Sequence, residues 1–169
     1  MDYVKSVDKP FQTDADSATG WMYGGTGKTF PSIMMLTQTW NAQLAEDLGE
    51  MMGNEALLGG ANGWYAPAMN IHRTPFSGRN GEYYSEDGYM SGSMASLEVK
   101  GAAIKGVYSY IKHFALNDQE NHRGDRPQLL RGNLVQRTGH PRDLSEAIRH
   151  VHAPWWITPE FLRTFGFRP

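Results

Sequence analysis

The stretch GVYSYIKHFALNDQENHR, residues 106–123, decides how the rest of the chain is read. Its first half is an apolar run rich in β-branched and aromatic residues, which predicts a short buried strand ending near Lys112 and His113. Its second half turns polar and charged at once. Working backwards, Met90, Met94, Leu97, Gly101 and Ile104 recur at helical spacing, so a helix precedes that strand. Before the helix lies a polar loop, HRTPFSGRNGEYYSEDG, and before the loop a second short buried strand, GWYAPAMNI, with Pro67 inside it. TWNAQLAEDLGEMMGNEALLGG, residues 39–60, predicts a further helix. Its apolar stripe is Trp40, Leu44, Leu48, Met51 or Met52, and Ala56; Thr39 is the expected cap and Gly59-Gly60 the stop. Strand, helix and strand with short connections imply parallel strands joined by right-handed crossovers, an α/β fold.

At 169 residues the chain is one domain at most, or a piece of a larger one. A net charge of −2 argues against nucleic acid or an anionic membrane as the main partner. With no cysteine there is neither a disulfide framework nor thiolate chemistry, which fits a reducing compartment. The first residues, MDYVKSVDKPF, lack an apolar signal region, and no run is long enough to span a bilayer. The expectation is a soluble, cytoplasmic protein.

Parallel sheets place ligands at the carboxyl ends of their strands. Lys112 and His113 sit at one such end, and the loop carrying Arg73 and Arg79 follows the neighbouring strand. Both ends therefore offer basic, hydrogen-bonding groups to one mouth. Arginine and lysine only donate, so the constellation Arg79, Lys112 and His113 suits a polyhydroxylated ligand, while a phosphate or carboxylate would satisfy the same cations. Glu82, Glu86 and Asp87 either orient those cations or cap the next helix. The segment GGTGKTF fails as a phosphate loop because Met22 stands where the first glycine is required. His72, His113 and His122 are too scattered for a zinc motif, so neither metal nor cofactor is expected.

Three blocks go further than spacing. FPSIMMLTQTWN, YAPAMNIHRTPFSGRNGEYYSEDGYMSG and IKHFALNDQENHR resemble the N-terminal barrel of glycoside hydrolase family 3, the β-glucosidase group, in family order from about Asp14 to Asp125. The resemblance implies the N-terminal portion of a (β/α)8 TIM barrel. It also implies retaining hydrolysis of terminal β-linked glucose-type residues, with a small glycoside or oligosaccharide as substrate. Residue by residue, it makes Arg79, Lys112, His113 and Arg123 ligands for sugar hydroxyls. Asp16, in DSATG, matches a sugar-gripping aspartate, with Asp14 as its rival. The family's aspartate nucleophile and glutamate acid/base have no counterpart here, so no catalytic residue is assigned. A non-catalytic carbohydrate-binding or regulatory remnant is the alternative.

Residues 126–169 differ in kind. They hold seven arginines and no lysine, whereas residues 1–125 hold six lysines and three arginines. Residues 130–151, read one base later through suitable synonymous codons, give FVAIWSNEQAIREIYLKPFDMS. That string resembles what the family carries beyond its lysine–histidine block. The tail is therefore expected to be a frameshift product with no domain of its own, the break lying between about Asp125 and Leu130.

Overall fold

Strand β1 (Asp14–Ala15) is followed by helices α1 (Ile33–Gln38) and α2 (Ala42–Gly59), then strand β2 (Gly63–Trp64). A 3-10 turn (Asn80–Glu82), helix α3 (Gly88–Ile104) and strand β3 (Tyr108–Ser109) complete the order. The structure is a computed structural model that describes residues 12–21, 27–113 and 117–120. Arg123, Met22 and the tail from residue 126 lie outside the described residues.

The strands form one sheet in the order β1-β2-β3, and both pairings are parallel, as the strand–helix–strand order requires. Asp14 stands beside Gly63, and Gly63 beside Tyr108. Pairing of β2 with β3 runs on beyond the two-residue strands: Tyr110 N–H donates to Trp64 O at 2.7 Å, and Met69 N–H to Lys112 O at 2.7 Å. That continuation carries the register to Lys112, opposite Ala68. Among the described residues, no helix is long and apolar enough to cross a membrane.

The expected helix over residues 39–60 is corrected at its start. Thr39 ends α1 instead of opening α2, and Asn41 is the true cap, its Oδ1 accepting from Leu44 N–H at 3.1 Å. Trp40, between the two helices, has φ of 55° and is 78% exposed, so it does not belong to the apolar stripe. The stripe itself is shifted. α2 buries Ala45, Gly49, Met52, Gly53 and Ala56, while Leu44 and Met51 are exposed. The cause is the close approach of α3. A Cβ at Gly49 would land on the carbonyl oxygen of Glu98, and one at Gly101 on that of Glu46. Backbones this near leave no room for leucine at the contact line, so Leu48 packs at its edge. Gly60, at φ 73°, stops α2 as anticipated. In α3, Met94 and Gly101 face inward as expected, whereas Ile104 is exposed.

Two apolar clusters flank this contact. Trp64, Met52, Ala56 and Val107 join the sheet to α2, with the Trp64 indole N–H bonded to Ser17 O at 2.6 Å. Ile33, Leu36, Met69, Tyr84 and Met94 join α1 to α3. Burial of a side chain such as Met52 contributes about 1.5–3 kcal/mol.

Candidate functional site

Lys112 reaches across the strand ends to Asp16. Its Nζ lies 2.6 Å from Asp16 Oδ1, with the lysine side chain 17% exposed and the aspartate 64%. Asp16 directly follows β1 and Lys112 lies beyond β3, so parallel pairing of both with β2 places them over the same end of the sheet. A pair this open to water owes little of its interest to stability. Its Coulomb attraction fixes where two charged groups stand.

His113 is held from behind. Asn70, 2% exposed at the end of the second strand segment, accepts from the His113 backbone N–H at 3.1 Å. The same Oδ1 lies 2.8 Å from His113 Nδ1. On the other side, Arg79 Nη2 is 3.4 Å from His113 Nε2. A guanidinium can only donate, so the network assigns the proton to Nδ1 and leaves Nε2 as acceptor. Tyr83 closes the ring's surroundings: its hydroxyl donates to Asn117 O at 2.5 Å, and its ring stands edge-on to His113 at 6.1 Å. Burial first, and then the Glu82 charge, push the Tyr83 hydroxyl far above its ordinary value, so it stays protonated.

Arg79 is the centre of the cluster. Its guanidinium pairs with the Glu82 carboxylate, sits 5.7 Å from the centre of the Tyr83 ring, and is 13% exposed. Nη1 is 3.5 Å from Glu120 Oε2, an ion pair, and has no hydrogen-bond partner among the described residues. A cleft of about 440 Å³ opens here, lined by Gly78, Arg79, Gly81, Glu82 and Glu120. A second, of about 510 Å³, is lined by Asp16, Ser17, Thr19, Ser32, Gly81 and Glu82 among others. Gly81 and Glu82 line both, so the hollow beside Arg79 and the hollow beside Asp16 are neighbours.

Asp16, Arg79, Lys112 and His113 are thus gathered at the carboxyl ends of the strands, while Arg123 lies outside the described residues. Asp14 is engaged elsewhere, accepting from Tyr65 at 3.2 Å, Tyr110 at 3.3 Å and Gln12 at 3.0 Å. Burial and the Asp14 charge push the Tyr110 hydroxyl up to about 12. Arg73, expected at the same mouth, instead forms a two-pronged bond with buried Asp118 at 2.9 and 2.8 Å. Asp87 caps α3, accepting from Met90 N–H at 2.7 Å, and Glu82 orients Arg79. Asn70, Tyr83 and Glu120 are the groups that sequence reasoning missed. Asn70 alone left a trace, a polar residue closing an apolar run. Among the described residues, no three His, Asp or Glu side chains group as a metal site.

A parallel α/β sheet with hydrogen-bonding groups collected at its strand ends is the arrangement of enzymes that bind small ligands at that edge. The chain belongs to glycosyl hydrolase family 3: residues 4–129 match the family's N-terminal domain. β-Glucosidase A of Butyrivibrio fibrisolvens is 42% identical over 94 residues, covering 56% of this chain and 11% of that protein. β-Glucosidase B of Emericella nidulans is 39% identical over 117 residues, 69% of this chain and 14% of its own length. Among solved structures, β-glucosidase 3B of Thermotoga neapolitana in complex with glucose superposes with a TM-score of 0.65 at 44% identity. That match covers 69% of this chain and 18% of the Thermotoga chain. A family 3 β-glucosidase of Bifidobacterium adolescentis gives a TM-score of 0.66 at 34% identity over 72% of this chain. The chain therefore spans under a fifth of the length of each of these relatives.

Proposed function

We propose that this chain is the glycone-gripping part of a retaining β-glucosidase, and that Asp16, Arg79, Lys112, His113 and Arg123 bind the hydroxyls of a glucose-type ring. The observation that carries the reading is the gathering of Asp16, Arg79, Lys112 and His113 at the carboxyl ends of the strands, beside two neighbouring hollows. Hydroxyls of a bound ring would meet donors and acceptors of this cluster. The cations are also already balanced: Lys112 by Asp16, and Arg79 by Glu82 with Glu120 nearby. Such a cluster offers little excess positive charge to a phosphate, while its paired donors and acceptors match neutral hydroxyls, which do both. The glucose complex of the Thermotoga relative supports the same ligand class.

The three parallel strands are, in this reading, part of a (β/α)8 barrel, which takes about 250 residues when complete. Retention requires two carboxyl groups about 5–5.5 Å apart across the scissile bond. We place both outside these 169 residues, so the chain binds sugar without cleaving it. Titration with methyl β-glucoside, followed by amide chemical shifts, tests the site. Shifts should centre on Arg79, Glu82 and Asp16 and persist in excess phosphate. Shifts caused by phosphate and reversed by none of the sugars tried would replace this reading with an anion site.

A further inference from the structure

A third hollow shares no lining residue with the Arg79 cluster. It measures about 450 Å³ and lies where the end of α1, the start of α3 and the loop between β2 and α3 converge. Trp40 and Tyr89 line it and are 78% and 58% exposed, large aromatic surfaces left in water. Trp40 is held there by a backbone φ of 55°, a conformation that non-glycine residues seldom adopt and that tends to mark a functional constraint. Behind them, Tyr84 forms part of the wall, its buried hydroxyl facing the Glu98 carboxyl.

The polar groups around the hollow decide the ligand class. Gln38 offers an amide, both donor and acceptor, and Glu86 a carboxylate. His72 has Nε2 2.9 Å from Asn80 O; a carbonyl only accepts, so Nε2 donates and the neutral ring's Nδ1 is an acceptor. Among the described residues, no lysine or arginine lines the hollow. An anion finds no counter-charge there. A pyranose ring fits on both counts, its C–H face against Trp40 or Tyr89 and its hydroxyl edge toward Gln38, His72 and Glu86.

We propose that the Trp40–Tyr89 hollow is a second carbohydrate-binding site, taking one neutral pyranose ring of a β-glucoside or short β-glucan. It does not rest on the sugar site at Arg79, and the test separates the two.

In a 15N-labelled chain, the Trp40 indole N–H signal, identified by its loss in Trp40→Phe, is followed during titration with cellobiose. The signal should move saturably at millimolar sugar. Tyr89→Ala should weaken that response about fivefold or more, because one stacking surface is lost. Arg79→Ala should leave it unchanged while abolishing shifts around Glu82. Absence of any Trp40 response, or its loss in Arg79→Ala, would overturn the proposal. So would a response to tetramethylammonium but not to cellobiose, which would make the hollow an aromatic site for organic cations. If the Arg79 site fails to bind sugar but Trp40 still responds, the second site stands alone.

Discussion

Arg79 performs three tasks with one planar group: it pairs with Glu82, packs on Tyr83 and approaches His113 Nε2. A lysine has a charge but no fork, so it could meet one of these and not the set. On the proposed function, in a longer chain that hydrolyses aryl β-glucosides, Arg79→Lys should therefore lose nearly as much kcat/KM as Arg79→Ala. Lys112→Ala should lower kcat/KM about tenfold or more, since hydroxyl contacts that strengthen in the transition state contribute to rate. Full activity in both Arg79→Ala and Lys112→Ala would remove these groups from the site. At the same scale, Glu98 is a different kind of residue. It is 1% exposed, and its carboxyl lies against the Tyr84 hydroxyl with no cation paired to it among the described residues. Burial pushes its carboxyl up to about 8, and the Tyr84 hydroxyl offsets only part of that. The unfolded chain releases this proton near 4.5, so between there and about 8 the folded state holds more protons than the unfolded. Stability must fall as pH rises through that window. Glu98→Gln, neutral at every pH, should raise the Tm at pH 8 and flatten its dependence between pH 5 and 8. An unchanged slope in thermal melts would show that Glu98 does not titrate there.

Helix pairing shows which parts of the fold were legible in the chain and which were not. α3 follows from periodicity, with Met94 and Gly101 facing the core but Ile104 exposed, and the strands flanking it follow from their apolar runs, each shorter than its run. α2 was legible as a helix but not in its face, since the rule that large apolar residues turn inward fails where two backbones nearly touch. There Gly49 and Gly101 form the contact and leucines stand aside. β1 left no pattern to read: Asp14–Ala15 is too short to alternate, and only its neighbour β2 makes it a strand. The site divides in the same way. Arg79, Lys112 and His113 were legible as donors and as positions at strand ends. Asn70 and Tyr83, which orient them, are buried polar groups whose partners are distant in the chain. The close contact yields a prediction. Gly101→Ala should destabilise the fold by about 1–3 kcal/mol, because the added methyl meets backbone that cannot turn aside. Gly81→Ala, with open space around its Cβ position, should change stability far less. Equal denaturation midpoints for the two would mean that α2 and α3 are farther apart than described.

At the scale of the whole molecule, β1 and β3 are, among the described residues, the outer strands of a three-stranded parallel sheet, and a barrel requires each to gain a neighbour. The family match extends to residue 129, within the interval where the arginine-rich composition begins. Reading residues 130–151 one base later would continue the family pattern as an amphipathic segment, replacing a run of arginine, histidine and proline with isoleucine, tyrosine and leucine. The degenerate third bases are free in that exercise. The first base of each shifted codon is instead set by the middle base of the present one, which makes the recovered string demanding. Sequencing the gene across codons 120–169 should show codons that yield FVAIWSNEQAIREIYLKPFDMS in the next frame. Codons that cannot yield it would end the frameshift account and leave the tail as encoded protein. If they do, the 169-residue chain should bind methyl β-glucoside yet release no product from an aryl β-glucoside. The gene with its frame restored and its downstream sequence intact should hydrolyse that substrate with retention. Turnover by the 169 residues alone would place a nucleophile inside the chain and overturn the division between gripping and cleaving parts.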